Sequence, residues 1–267
     1  MTAPSALLAR GNAFNACVLN LRASMQFLAW FRMLWLALTC LLVVAPAAMA
    51  QTAVSGAIAV DARWATSGNP YLVTGHVVVQ NGAVLTVDPG VVVYMATDTS
   101  LAVQAGAIRA LGTAAAPIRV LSDKTRSGQI AAPGDWKQWT FNPGTVNTQL
   151  DNVLFDHGSG LTVNGSAPVF NYVSVRNQSG PAISVDLAAS LSGVGNQASG
   201  NTLNGVLVPA GDVVGNVKWG LRGIPYVVST GAVSVGASPT VTTVAPNTLQ
   251  QGESATLTLT GTRLAGL

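Results

Sequence analysis

Charged residues are scarce in this sequence. Asp, Glu, Lys and Arg make up only 9% of its 267 residues, whereas 49% are hydrophobic. A disordered chain has the opposite composition, with many charges and few hydrophobic residues, so the low charge excludes that class. A folded surface must then be hydrated mainly by uncharged polar side chains such as Ser, Thr, Asn and Gln.

Cysteine and histidine are also rare, with two of each in the whole chain. Cys17 and Cys40 both lie in the first fifty residues, so the rest of the chain can form neither an internal disulfide nor a thiolate metal site. Two histidines are too few for a zinc site, which takes three or four protein ligands. Phosphate-binding loops, nucleophile elbows and dinucleotide fingerprints are absent as well, so no cofactor is predicted.

The first fifty residues have the three parts of a secretory signal peptide. Arg32 precedes the apolar run at 33–45, and Ala48-Met49-Ala50 provides a small-x-small cleavage site after Ala50. A membrane anchor is the alternative, but the run is shorter than the ~18 residues that a spanning helix needs. The pattern predicts a leader with a signal helix over 1–50, and a secreted or cell-surface protein without a membrane segment once the leader is removed.

The positive charge of the chain belongs to this leader. The formal net charge is +3, with 13 basic and 10 acidic residues. Arg10, Arg22 and Arg32 precede Gln51, and every acidic residue follows it, so the remaining chain is neutral. A nucleic-acid interface needs a basic face, and none is expected here.

After Gln51 the sequence lacks the periodicity of amphipathic helices. It consists of bursts of three to five β-favouring residues separated by Gly, Pro, Asn, Asp or Ser, as in GAVLTVDPGVVVYM at 82–95. Short runs at regular spacing predict an all-β protein, which leaves a sandwich and a solenoid as alternatives.

Internal repetition favours the solenoid. Leu150–His157 aligns with Phe170–Asn177 at an offset of 20, and the strand at 161–163 corresponds to 183–185 and then to 206–208. A period near 20 with two or three strands per repeat is typical of a parallel β-helix, whose coils stack at the strand spacing of ~4.8 Å. This alignment predicts that four side chains point inward and are stacked: Val153, Phe155, Val173 and Val175.

Three weaker correspondences extend the pattern. Leu85-Thr86-Val87 matches 101–103 at an offset of 16, which predicts tighter coils there. Asn196-Gln197 repeats Asn177-Gln178, which together with His157 predicts a polar ladder at one turn. The motif W-x5-P-Y occurs at 64–71 and again at 219–226, where it is expected to open the array and then restart it.

These motifs resemble those of a known group of proteins. The progression PYLVTGHVVVQNGAVLTVDPGVVVYM, SLAVQAGAIRALGT, GDWKQWTF and TQLDNVLFDHGSG is similar to secreted bacterial right-handed parallel β-helix proteins with a pectate-lyase-like solenoid. The resemblance implies a β-helix over 61–237, preceded by a linker at 51–60. The segment SPTVTTVAPNTLQQGESATLTLTGTRL resembles the opening of an immunoglobulin-like IPT/TIG domain. A full sandwich of that type takes about seven strands and ~100 residues, so 238–267 is expected to be a truncated Ig-like segment.

Candidate catalytic residues are few. Alternation from inward-facing Val153 and Phe155 predicts that Asp156 points outward with Arg176 one coil above it. A lyase or hydrolase would need more, because glycoside hydrolysis uses two carboxylates set ~5–9.5 Å apart. Asp151 is nearby in sequence, but no second carboxylate is expected on the face of Asp156. Asp156 and Arg176, the two catalytic candidates, are therefore interpreted as a surface ion pair between coils.

Trp136 and Trp139 are the candidate ligand-binding residues. They follow the loop-like segment at 122–134, and aromatic faces in such a position can stack on sugar rings. The alternative is that both indoles pack the loop onto the coil. A metal site is not predicted.

Taken together, these patterns predict an exported, non-enzymatic β-solenoid with a structural, adhesive or glycan-binding role. The expected partner is an extracellular polysaccharide or a cell-surface glycan, and the protein is not expected to bind nucleic acid. The alternative function is that of a carbohydrate-active lyase or hydrolase on the same fold.

Overall fold

A computed structural model describes residues 51–236, 240–248, 254 and 256–262. This part of the chain is almost entirely β-structure, with one 3-10 turn at Thr66–Gly68 and one short helix, α1 (Asp123–Arg126). The predicted leader and its cleavage site at Ala50 lie outside the described residues. None of the described helices is long and apolar enough to cross a lipid bilayer.

The described chain winds into a parallel β-solenoid of about 8 turns. Its strands form three faces, and all pairings between neighbouring coils are parallel. β1 (Thr52–Ile58) and β3 (Tyr71–Val79) are long enough to bend around a corner and contribute to two faces. The resulting 13-stranded sheet therefore supplies faces 1 and 2 of the solenoid.

Face 1 continues from the first halves of β1 and β3 through β5 (Val92–Met95), β8 (Ile118–Ser122), β11 (Val153–Asp156), β14 (Ser174–Arg176) and β17 (Gln197–Ser199). Face 2 continues from their second halves through β6 (Leu101–Val103), β9 (Trp139–Phe141), β12 (Leu161–Val163), β15 (Pro181–Val185), β18 (Leu203–Val208) and β21 (Tyr226–Val228). Face 3 consists of β2 (Ala62–Trp64), β4 (Val84–Val87), β7 (Ala107–Leu111), β10 (Gln149–Asp151), β13 (Val169–Asn171), β16 (Ser192–Gly193) and β20 (Gly220–Leu221).

Stacked apolar side chains fill the interior. On face 2, for example, Val79, Val103, Phe141 and Val163 lie in register on successive coils, and each is 0% exposed. Alternation along each strand points these residues inward, and the coils above and below complete their burial. Full burial of one such side chain stabilises the fold by roughly 1.5–3 kcal/mol.

The central registers predicted from the repeat are confirmed. Leu150 pairs with Phe170, and Phe155 with Val175. On face 2, 161–163 pairs with 183–185. The predicted inward residues Val153, Phe155, Val173 and Val175 are all buried. The repeat therefore located the centre of the solenoid correctly.

Two weaker alignments are wrong. Leu85 pairs with Ile108 on face 3, whereas Leu101 pairs with Val77 on face 2, so these strands belong to different faces. Gln197 pairs with Ser174 rather than with Gln178. Turn lengths differ between coils, so equal spacing in the sequence does not give equal positions in space.

The predicted linker at 51–60 is also wrong. β1 occupies most of it and pairs with β3, with Thr52 opposite Tyr71 and Ile58 opposite Val79. Val54 and Ile58 pack against the core. β1 is the first described strand, and among the described strands it is paired on one edge only.

The W-x5-P-Y repeat has a structural counterpart at both ends of the array. Trp64 stacks on Tyr71 with ring centroids 5.2 Å apart, and Trp219 stacks on Tyr226 at 5.7 Å. Both ring pairs have an interplanar angle of 18°. The second copy does not restart the solenoid, however, because β21 is the last described strand of face 2.

Two smaller strand pairs follow the main sheets. β19 (Gly211–Val213) pairs in parallel with β22 (Val233–Val235) beside the last coils. β23 (Thr240–Ala245) and β24 (Thr258–Thr262) form an antiparallel pair in the segment predicted to be Ig-like.

Candidate functional site

The two predicted ligand-binding tryptophans lie inside the solenoid. Trp136 is 0% exposed and Trp139 is 1% exposed. Trp136 donates a hydrogen bond from Nε1 to the carbonyl oxygen of Asp156 at 3.0 Å, and Trp139 packs edge-on against Phe155. Neither ring face can stack on a sugar, so the prediction of ligand binding here is wrong and the packing alternative describes these residues. An apolar ring gains more from the dry core than from a solvated loop.

Asp156 and Arg176 lie where the repeat predicted. Arg176 Nη2 donates to Asp156 Oδ2 at 3.1 Å, and Asn177 Nδ2 donates to Oδ1 at 2.9 Å. His157 Nδ1 lies 3.0 Å from Oδ1 without the alignment of a hydrogen bond. The carboxylate thus ties two coils together at the corner between faces 1 and 2.

Asp156 is more buried than the predicted surface ion pair requires. The residue is only 8% exposed, so its carboxylate is largely removed from water. Asp151 does not join it, because Asp151 lies on face 3, where it accepts hydrogen bonds from Gln149 and Asn171. The cluster therefore contains one carboxylate with three polar neighbours, which is the arrangement of a structural clamp.

A second buried carboxylate holds the loop that leads to Trp136. Asp135 accepts hydrogen bonds from Ser122 Oγ at 2.7 Å and from the backbone N–H of Ala132 at 3.0 Å, and its other oxygen contacts Lys124 Nζ at 2.5 Å. Burial acts to raise the pKa of Asp135, but the hydrogen bonds and the charge of Lys124 outweigh it and lower the pKa. The clamp closes the 122–135 loop at its base.

The outer surface of face 2 has a regular column that the sequence did not reveal. One outward residue per strand lies in register across eight strands, in the order Ala57, Val78, Ala102, Thr140, Thr162, Ser184, Leu207 and Val227. We call these residues the face-2 column. It has hydroxyl groups at its centre and aliphatic side chains at both ends, and none of its members is charged.

A row of mostly amide side chains runs beside the column. The backbone N–H groups of Gln104, Asn142, Asn164 and Asp186 each donate to the carbonyl of the preceding coil, which keeps the row in register. Asn164 Nδ2 also donates to Asn142 Oδ1 at 3.2 Å. Each of these residues lies two positions after a column residue, so both rows face outward on the same side of the sheet.

Sequence reasoning missed the column because it depends on the register of face 2. The spacing between its strands varies from coil to coil with the intervening loops, most of all where the 122–135 loop enters. The predicted pairing of 161–163 with 183–185 contains the central contact, Thr162 opposite Ser184, but the repeat does not align the strand at 139–141 with them.

Within the described residues, no group of three or more His, Cys, Asp or Glu side chains is arranged to hold a metal ion. Comparison of the chain with protein-family models, with curated proteins and with solved structures finds no match. The functional argument therefore depends on the geometry of the chain itself.

Proposed function

We propose that this chain is an exported, non-enzymatic β-solenoid that binds an extended, uncharged polysaccharide along face 2. The observation that carries the proposal is the face-2 column, an in-register line of uncharged side chains over eight strands. The central hydroxyls of Thr140, Thr162 and Ser184 both donate and accept hydrogen bonds, as the hydroxyls of a sugar require.

The amide row supports the same ligand class. Gln104, Asn142 and Asn164 offer further donors and acceptors parallel to the column, and their side chains are at least partly exposed. Neither Lys nor Arg occurs in the column or in the row, so an anionic polymer would find no counter-charge there. A linear chain of neutral sugars lying along the solenoid axis fits this surface best.

The export part of the proposal is supported by the sequence of 1–50. The finer resemblances, to secreted bacterial right-handed β-helix proteins and, at 238–267, to the start of an IPT/TIG domain, are part of the same proposal. They are consistent with a surface protein whose solenoid has an adhesive or structural role.

The test is retention on immobilised polysaccharides. Replacing Thr162 by Glu puts a charge at the centre of the column, and we expect at least a tenfold loss of retention on neutral glucans and xylans. The matched control is Ser192→Glu, an outward and equally half-buried position on face 3. Circular dichroism of both variants verifies that the fold is unchanged.

Three outcomes would contradict the proposal. Equal retention of the two variants would remove the binding site from face 2. Absence of retention on any polymer would indicate a passive spacer. Turnover of pectin, alginate or a neutral glycan that is lost in Asp156→Asn would instead support the alternative function, a carbohydrate-active enzyme.

A further inference from the structure

The solenoid has an open apolar end at its last described coil. Val228 continues the inward column of Val163, Val185 and Val208 on face 2, yet it is 41% exposed, whereas Val208 is 0% exposed. The edge of β21 that faces away from β18 has no partner among the described strands. The Val228 side chain therefore occupies an inward position that no further described coil covers.

The pocket beside this end is also apolar. It has a volume of about 150 Å³ and is lined by Val213, Gly215, Val217, Trp219 and Val235. Val235 is 79% exposed, and the buried Nε1 of Trp219 has no hydrogen-bond partner. An N–H group in this position needs an acceptor once the pocket is closed.

The first copy of the W-x5-P-Y motif, at the other end of the array, lies in a better covered coil. Trp64 stacks on Tyr71 and is 4% exposed, and Tyr71 lies on β3, which pairs with β1 on one edge and with β5 on the other. Trp219 stacks on Tyr226 in the same way but is half-buried, and Tyr226 lies on β21, which pairs with β18 and has no second partner among the described strands. Within the part of the chain that the structure describes, the second copy of the motif thus lacks the additional strand layer that flanks the first copy.

The strand pair β23–β24 has an apolar face that no described residue covers. Val244 lies opposite Leu259, and Val241 lies opposite Gly261, two residues further along β24. Together with Leu257 these side chains share one face and are 41–55% exposed. The opposite face carries threonines, with Thr243 opposite Thr260.

A lone pair of strands is marginally stable in water, so this apolar face needs a surface to pack on. The chain between Val235 and Thr240 can span at most roughly 17 Å when extended, which keeps the strand pair beside the open end. Solenoids also require capping layers with a polar outer side at their ends. The threonine face of β23–β24 would provide that outer side.

We infer that β23–β24 is the cap of the C-terminal end of the solenoid. Its apolar face, formed by Val241, Val244, Leu257 and Leu259, packs on Val228, Val235 and the Trp219 pocket. The cap covers the last described coil, and its backbone carbonyls offer acceptors for Trp219 Nε1.

Disulfide trapping in the full chain tests the contact. In a chain with Cys17→Ser and Cys40→Ser, the pair Val228→Cys with Leu259→Cys places one thiol on the open end and one on the apolar face. Bridged cysteines have Cα atoms within about 7 Å, so we expect a disulfide within one chain under mild oxidation. The control pair, Val228→Cys with Thr260→Cys, has the same tether but uses the threonine face, and we expect it to react at least tenfold more slowly.

Equal rates for the two pairs, or no disulfide in either, would overturn the inference. A disulfide between two chains would also overturn it, because the end would then be covered by a second copy.

Hydrogen exchange gives a second test that does not depend on cysteine chemistry. Val244→Ser with Leu259→Ser should reduce the protection of the β21 amides at least tenfold, whereas Thr243→Ser with Thr260→Ser should leave it unchanged. Unchanged protection in the first variant would overturn the cap and favour a separate sandwich containing β23–β24.

Discussion

At the scale of single residues, the buried polar groups act as ties between coils. Asn196 occupies the inward position next to Val173, where its Oδ1 accepts from the Val173 N–H and its Nδ2 donates to the carbonyls of Phe170 and Arg222. Gln178 is 1% exposed and accepts a hydrogen bond from the Gly160 N–H. Such groups are tolerated in a dry core because each has partners on neighbouring coils.

The Asp135 clamp predicts a pH dependence. Its pKa is lowered in the folded protein, so its contribution to stability is present above the ordinary value of 3.8 and is lost as the pH falls through the folded pKa. We expect the thermal midpoint of the wild-type chain to fall more between pH 7 and pH 3 than that of Asp135→Asn. The variant should already be less stable at pH 7, because an amide cannot neutralise Lys124.

Thermal unfolding followed by circular dichroism at the two pH values measures the difference. The control is Asp98→Asn, which removes an exposed carboxylate 3.0 Å from Lys137. A parallel pH profile for wild type and Asp135→Asn would show that the carboxylate does not anchor the loop.

Truncation of the Asp156 side chain is expected to lower the free energy of unfolding more than the loss of an exposed carboxylate does. Asp156→Ala removes two charge-assisted hydrogen bonds that a largely buried carboxylate accepts from Arg176 and Asn177, which costs about 1–3 kcal/mol of unfolding free energy. The comparison is Asp98→Asn, which removes a carboxylate that is 75% exposed, keeps a residue suited to the left-handed backbone there, and is expected to cost about 0–1 kcal/mol. Urea unfolding at pH 7 measures both, and equal losses would contradict the clamp.

At the scale of elements, the corners of the coils depend on a few backbone positions. His157, Asn177 and Gly200 occupy equivalent places after face 1, and all three have a left-handed backbone with φ between 52° and 68°. Asparagine and glycine adopt this conformation more readily than other residues, which is why they recur at the turns. The predicted amide ladder is wrong here, because Gly200 rather than Gln197 follows Asn177.

Gly158 is required at the corner where the 122–135 loop rejoins the coil. A Cβ atom at this position would overlap the ring of Trp136. Because Trp136 is fully buried and hydrogen-bonded, it cannot move aside, and Gly158→Ala should destabilise the protein by about 1–3 kcal/mol.

Chemical unfolding monitored by tryptophan fluorescence measures the unfolding free energy that Gly158→Ala removes. Gly220→Ala is the matched control, since its added Cβ meets only the end of the flexible Lys218 side chain at 3.3 Å and the Ser192 Cβ at 3.5 Å. If both substitutions had the same small effect, Trp136 would not be held as tightly as the structure indicates.

At the scale of the whole molecule, each coil contacts only its neighbours, so the position of a defect along the array matters. Phe141 lies 0% exposed in the middle of face 2 and contacts the ring of Phe170. Phe141→Ala should cost about 3–5 kcal/mol, because large-to-small changes in a packed core leave a cavity. It should also reduce hydrogen-exchange protection in β6 and β12 on either side.

Val208→Ala makes a smaller deletion near the end of the same face and is expected to lower protection only in the last coils. Mass spectrometry of exchanged peptides distinguishes the two patterns. Uniform loss of protection along the whole array in both variants would show that the solenoid unfolds as a single unit.

The predictable part of the fold is its interior. Val153, Phe155, Val173 and Val175 could be assigned to the core from the sequence because alternation and repetition both place them inward. Trp139 could not, because its strand follows a long loop that breaks the repeat. An isolated aromatic beside a polar loop has the same pattern whether it packs inward or faces solvent.

Of the candidate site, only the ion pair between Asp156 and Arg176 could be predicted from the sequence. The offset of 20 placed Arg176 above Asp156, and the structure confirms the contact. The role of Asp135 is not predictable from the sequence, because its partners Ser122 and Lys124 lie at the other end of a loop whose path the sequence does not specify.

The sequence by itself determined that the chain is all-β and coiled, because burial depends on the hydrophobicity of each residue and on a two-residue alternation that can be read directly. Only the tertiary structure decided which outward side chains share a column, because that depends on the length and path of every turn between strands. The face-2 column, the Asp135 clamp and the open end at Val228 all depend on this register, and so does the function proposed for the protein.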